Sequence, residues 1–258
     1  MGIRSVEEFV TAVRADANKW GETRYPWFRG ERDSARPLLP GLYRKRRGKP
    51  PYRAFENQLL QTFRLKAASF SDRPLPDREN TDQWLFLAQH VGLPTRLLDW
   101  TESALVGLWF ALQKEKPVVW MLNPLELNLL SVSDQDGKKL IGSDQFPLTW
   151  VSPPCVINIG SESINAAWEQ RASRVDLPVA IVPTYVHGRM SAQRSCFTVH
   201  GQKEQPLNEL VPPSVVKRYK IEPSAATKLR RDLRMLGIMR ATAFPDLDGL
   251  AGELASLY

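Results

Sequence analysis

Residues 83–112 read QWLFLAQHVGLPTRLLDWTESALVGLWFAL, and how this stretch folds decides how the rest of the chain is arranged around it. Trp84, Leu85, Leu87 and Ala88 fall at helical spacing, and so do Leu105, Leu108, Trp109 and Leu112. Gly92 and Pro94 stop the first helix. Thr101 is placed to cap the second, its hydroxyl accepting from an amide of the first turn. The reading is two apolar helices flanking a polar core, HVGLPTRLLDWT, that holds His90, Thr95, Arg96, Asp99 and Thr101. Polar groups in apolar surroundings need partners, so these either satisfy one another or face a ligand.

On the N-terminal side, Ser5 and Glu8 form a capping box that opens a helix with Val6, Phe9, Val10 and Val13 on one face, ending near Gly21. Residues 25–30, YPWFRG, suit a strand, with Pro26 near its start where a missing donor is tolerated. Pro37, Pro40 and Gly41 mark a loop, and a second helix follows over about 55–70 with Leu59, Leu60, Phe63 and Ala67 on its core face. On the C-terminal side, strands are expected over 118–122, 155–159, 179–182, 196–199 and 215–221, with loops and short turns over 123–154. A short helix is expected over 164–172 and a polar bend over 189–193. Pro223 suits the first turn of a helix running to Gly237. A final helix begins near Pro245 and carries Leu247, Leu250, Leu254 and Leu257. The result is a mixed α+β single domain over 1–258, helical over about 1–115 and strand-rich over about 116–258.

The 258 residues carry 35 basic against 28 acidic side chains, a net charge of +7, which mildly favours an anionic partner such as nucleic acid or a dinucleotide. The basic residues cluster at Arg44-Lys45-Arg46-Arg47 with Lys49, and again at Lys228, Arg230, Arg231 and Arg234. Two cysteines, Cys155 and Cys196, make no zinc motif and read as small buried strand residues. The histidines His90, His187 and His200 make no metal motif. No GxSxG and no phosphate-binding glycine loop occurs. No apolar run approaches ~20 residues and the first residues lack a signal core, so the expectation is a cytoplasmic chain without a membrane partner.

Five constellations carry chemistry. Arg29, closing a buried strand, has a planar fork suited to two phosphate oxygens, and Gly30 after it lets a ligand approach the backbone; the alternative is an ion pair with Glu56 or Asp99. His90, near a helix C-terminus, could bond a ribose or move a proton, or be a satisfied core histidine. Arg96 and Asp99 could line a site or pair with each other. Thr101 and Ser103 could orient a ligand hydroxyl, or cap a helix. Gln193, ahead of a strand, could bind a sugar hydroxyl but cannot act as a base.

Taken together, Phe28-Arg29-Gly30, the run from Trp84 to His90, the block GLPTRLLDWT at 92–101, Gln193 with Phe197, and FPDLDGL at 244–250 resemble the FRG domain, whose members are mostly bacterial or phage-associated. More distantly, the layout resembles ADP-ribosyltransferases. That resemblance implies a split β-sheet core with the N-terminal helices packed around it. In that family a first strand ending in Arg-Gly holds the NAD ribose or phosphate, the role implied for Arg29 and Gly30. A middle Ser/Thr block leads into a helix ending in an aromatic-Ala pair, here Thr101 and Ser103 before Trp109-Phe110-Ala111. A late strand begins with Glu or Gln near the reacting ribose, here Gln193. His90, Thr95, Arg96 and Asp99 would line the cleft. The implied activity is NAD-dependent ADP-ribosyl transfer to nucleic acid or protein, or NAD cleavage, in a toxin or phage-defence setting with a possible antitoxin or inhibitor protein. The departure is Gln193, where the better-known transferases carry Glu; Asp99 is the first candidate for the missing base. The alternative is a non-catalytic module that binds a nucleotide or nucleic acid.

Overall fold

The structure, a computed structural model, describes residues 2–21, 25–45, 48–49, 51–72, 74–113, 115–131, 151–152, 156–158, 177–183, 185, 188–201 and 203–256. Its centre is a mixed sheet of β1 (Trp27–Glu31), β2 (Leu97–Thr101), β3 (Val118–Leu122), β4 (Val151–Ser152), β5 (Val156–Asn158), β6 (Val179–Val182), β7 (Ser195–Val199) and β8 (Val216–Lys220). The order is β4-β5-β6-β7-β2-β1-β3-β8. From β6 through β8 every neighbouring pair is antiparallel, while β5 runs parallel to β6.

The helices are α1 (Val6–Asn18), α2 (Gly41–Lys45), α3 (Tyr52–Ala67), α4 (Thr81–His90), α5 (Ala104–Ala111), α6 (Pro124–Ser131), α7 (Gly188–Ala192), α8 (Leu207–Leu210), α9 (Ala226–Met235), α10 (Arg240–Ala243) and α11 (Leu247–Ala255). Ser5 caps α1 by accepting from the Glu8 amide at 3.2 Å, while the Glu8 carboxylate accepts from the Arg4 amide. Gly92, at φ 87°, ends α4 with the Leu93 amide reaching back to Ala88 O.

Several expectations need correction. The polar core of the organising stretch contains a strand, β2, so α4 and α5 are joined through the sheet rather than through a loop. Its period-2 burial, with Leu98 and Trp100 in one cluster and Leu97 in another, is hidden by the apolar residues on both faces. The N-cap of α5 is Ser103, whose hydroxyl accepts from the Val106 amide; Thr101 instead accepts from the Ser103 amide. Helix α6 lies where loops and short turns were expected. The bend at 189–193 is largely the short helix α7. Cys196 is buried on β7, whereas Cys155, His187 and the helix expected over 164–172 lie outside the described residues. Two strands from the first half of the chain, β1 and β2, sit in the middle of the sheet.

The two faces of β1 build different surroundings. Trp27 packs with Leu98, Trp100 and Trp120, and Phe28 packs with Phe9, Leu108, Val119 and Leu229. Gly30 shares the Phe28 face. A Cβ there would lie 2.1 Å from Gly107 O and 2.3 Å from Ala111 N, so its hydrogen side is filled by α5. The glycine serves close helix–sheet packing rather than ligand approach, and Gly107 meets Phe28 in the same way.

Between β1 and β2 the register is one pair, Phe28 opposite Thr101, whereas β1 with β3 and β2 with β7 run in register over all five residues of each strand. Beyond that pair the two central strands part. The sheet therefore stays hydrogen-bonded in a single order but opens at its middle.

Candidate functional site

The opening is the mouth of a cleft of about 790 Å³, within the ~300–1,000 Å³ range of small-molecule sites. Arg29 on β1 plugs its floor. Strand alternation puts Arg29 and Glu31 on one face, and Glu31 Oε1 accepts from both Arg29 Nε at 2.8 Å and Nη2 at 2.5 Å. Arg29 Nη1 donates to the Asp99 carbonyl at 2.7 Å, satisfying an acceptor that the parted strands leave without a ladder partner. Burial works against the guanidinium charge, but Glu31 and Asp99 outweigh it and hold the group more firmly protonated than usual. The partners of Arg29 are thus Glu31 and Asp99, not Glu56.

Asp99 does not pair with Arg96. In a strand, residues three apart point to opposite faces. Arg96 instead lies 3.2 Å from Glu56 Oε2, both side chains being 2% exposed, while its backbone amide donates to Glu56 Oε1. Asp99 is 55% exposed at the cleft, 3.6 Å from Arg29 Nη1, and accepts from Gln89 Nε2 at 2.8 Å. Gln89 is itself set by the Thr95 hydroxyl, which donates to its Oε1 at 2.5 Å. A polar relay, Thr95–Gln89–Asp99–Arg29–Glu31, therefore crosses the cleft floor.

The late strand joins the same place. Thr101 donates its hydroxyl to the Gln193 carbonyl at 2.7 Å, and the Glu102 amide donates to Arg194 O. Gln193 Nε2 donates to Ala243 O at 2.8 Å. That contact draws in the C-terminal segment, whose sequence then makes sense. Asp246 caps α11 by accepting from the Gly249 amide, and a Cβ on Gly249 would lie 1.8 Å from Phe244 O. The turn so fixed holds the Phe244 ring in the cleft wall beside Trp109 and Phe110, ring centroids 6.0 Å away in each case. The Arg189 guanidinium lies 4.3 Å from the Phe244 ring centre and that of Arg240 5.6 Å.

Of the residues singled out by sequence, Arg29, Gly30, His90, Asp99, Thr101 and Gln193 line this cleft. Thr95, Arg96 and Ser103 do not. Thr95 acts behind Gln89, Arg96 is held by Glu56, and Ser103 caps a helix. Burial pushes Arg96 down to about 10 against the pull of Glu56. Sequence reasoning passed over Glu31, Arg32, Arg36, Arg189 and Arg240, all of which line the cleft. Glu31 was within reach, since it follows Arg29 by two in a strand. Arg189 and Arg240 were not, because only the tertiary fold brings them to Phe244.

The charge of the cleft is lopsided. Arg29, Arg32, Arg36, Arg44 and Lys45 line it from β1 to α2, and Arg189 and Arg240 from the C-terminal side. Against these stand the carboxylates Glu31 and Asp99. Part of the Arg44–Lys49 run thus belongs to the cleft. In the second basic cluster, Arg230 donates to Leu112 O. No group of acidic, histidine or cysteine side chains suited to a metal occurs among the described residues, and none of their helices is long and apolar enough to cross a membrane.

The family model for the FRG domain matches residues 24–118, the part that carries β1, α2, α3, α4, β2, α5 and the first residue of β3. The match supports the FRG family for that part, while Gln193 and the 244–250 block lie beyond it. No curated protein and no solved structure matches the chain.

Proposed function

We propose that the cleft binds NAD and transfers its ADP-ribosyl group to a macromolecular acceptor, nucleic acid or protein, on an ADP-ribosyltransferase-like scaffold. One observation carries the reading: Arg29 on β1, Thr101 at the end of β2 and Gln193 before β7, on neighbouring strands, meet at one cleft where the sheet parts. The fit to a dinucleotide rests on the cationic excess, the aromatic wall and the volume. A toxin or phage-defence setting follows from the family resemblance.

In this reading Arg29, kept charged and oriented by Glu31, anchors phosphate or ribose through the edge that now meets Asp99. Gln193 is fixed by its amide nitrogen on Ala243, which leaves Oε1 to accept from a ribose hydroxyl. The bond between C1′ and the nicotinamide nitrogen breaks, nicotinamide leaving with the electron pair. An acceptor oxygen or nitrogen bonds to C1′, and its proton passes to the Asp99 carboxylate. Asp99 is exposed enough to reach an acceptor and is aimed by Gln89. Its charge also stabilises the oxocarbenium-like state of such cleavage.

The test is incubation with adenylate-labelled NAD and cell extract, reading free nicotinamide and label on macromolecules. Asp99→Asn should lower transfer by roughly 10²–10⁴-fold, the usual worth of a general base. Its melting temperature should hold, because the side chain is exposed. Wild-type protein that releases no nicotinamide and labels nothing ends the enzymatic reading. The second reading, binding without catalysis, is favoured by the amide at 193, which supplies no base. Saturable NAD binding without nicotinamide release would select it.

A further inference from the structure

We infer that residues 32–45 form a track for a single-stranded polynucleotide, which is the acceptor. The word acceptor rests on the transfer reading above; the binding does not.

The argument begins with charge. A dinucleotide brings two phosphates. The cleft holds seven basic side chains against two carboxylates, and Arg29 is already matched by Glu31. Of the other six, Arg189 and Arg240 lie over Phe244, and the remaining four, Arg32, Arg36, Arg44 and Lys45, come from one stretch of chain. That stretch is fixed in place. Leu38, Leu39, Leu42 and Tyr43 are buried, the Leu42 amide donates to Thr95 O, and Arg218 Nη2 donates to Ser34 O. The cations therefore form a standing array that needs little ordering when a ligand arrives.

Within the array Arg44 is partly buried beside other cations. Burial, with Arg36 and Arg29 nearby, pushes Arg44 down to about 10. Arg36 Nη1 lies 3.6 Å from Glu31 Oε2, a carboxylate whose other oxygen is taken by Arg29. A chain of phosphates would match the excess positive charge along this stretch.

Shape chooses among polyanions. Trp109, Phe110 and Phe244 present ring surfaces in the same cleft, with Arg189 over Phe244. A basic groove beside aromatic rings is the arrangement that binds single strands, through phosphate contacts and base stacking. A duplex hides its bases from the rings that line the cleft. An acidic peptide would use the charges and leave the rings idle.

The test is fluorescence anisotropy with labelled single-stranded RNA and DNA of about 12 nucleotides, within the usual ~4–16-nucleotide site. An equal-length duplex and polyglutamate serve as competitors, and salt is varied without NAD. Single strands should bind most tightly, and log K should fall linearly with log salt. The triple variant Arg32→Gln, Arg36→Gln, Lys45→Gln should reduce that slope by about 2, at ~0.7 per lost contact on a single strand. Preference for RNA or for DNA identifies which strand is the acceptor. Then NAD is added, and label should appear on the bound strand. Tighter duplex binding, equal competition by polyglutamate, an unchanged slope in a variant that melts like wild type, or label on protein alone overturns the inference. A protein that binds the strand but never releases nicotinamide keeps the track and loses the transfer reading. One that cleaves NAD yet ignores single strands does the reverse.

Discussion

Arg29 and His200 show how a residue's meaning depends on what the fold puts beside it. Phe28-Arg29-Gly30 reads from sequence as a ligand clamp. The arginine does reach the cleft, but the glycine is spent on helix α5. His200 was only one of three histidines by sequence. In the fold it is fully buried, its Nε2 3.4 Å from the Thr198 hydroxyl and its Nδ1 without a hydrogen-bond partner among the described residues. Burial, helped by Arg29, pushes it down to about 3, from an ordinary unfolded value of ~6.5. The neutral form is the folded one, so its contribution is intact above pH ~6.5. It is lost as pH falls toward 3, by up to ~1.4 kcal/mol per unit. Thermal melts of wild type and His200→Gln between pH 3.5 and 7 should diverge in slope, the variant being flatter. Parallel curves would mean that another group governs acid sensitivity.

At the scale of elements, spacing located most of what faces only one environment. The strand expected over 118–122, the strand over 179–182 and the capped helix α1 were all legible. β2 was not, because LLDWT is apolar on both faces and sits between two helical patterns, so no period stands out. The last helix was misleading in the other direction. Its leucines suggest a buried stripe, yet Leu247 is 82% exposed, and Leu250 and Leu254 point outward too. Gly249 and Gly252 face inward instead, against the Phe244 carbonyl and the Arg240 side chain, because only a glycine face lets α11 lie that close. Leu250→Ser should therefore change stability by no more than ~0.5 kcal/mol. Leu229→Ala, in the core face of α9, should cost ~2–5 kcal/mol. Urea midpoints compare the two directly, and a large effect at Leu250 would place that leucine in a core.

For the molecule as a whole, the informative feature is how unevenly the sheet is stitched. β1 is bonded along its length to β3, and β2 to β7, but the two central strands share one register pair. The cleft occupies the parting, and its polar relay substitutes for the missing ladder. Composition could not reveal this. A net charge of +7 hinted at an anion but not at where the charges gather, since Arg29, Arg44, Arg189 and Arg240 meet only after folding. Hydrogen exchange should register the uneven stitching. Amides of Val119 and Met121 in β3 should exchange at rates set by global unfolding, and those of Gly30 and Asp99 beside the parting much faster. Uniform protection across β3, β1 and β2 would mean that the halves are as firmly joined as any other pair.

The wall contributed by Phe244 has a consequence for the protein's birth. A ribosome delivers β1 early and residues 240–249 more than two hundred residues later. Until that segment emerges, Gln193 has no Ala243 carbonyl to hold and the hollow lacks its aromatic side. A nascent chain therefore carries much of the charged half of the machinery without the half that completes it, and whatever this hollow does to other molecules is withheld until that segment has left the ribosome.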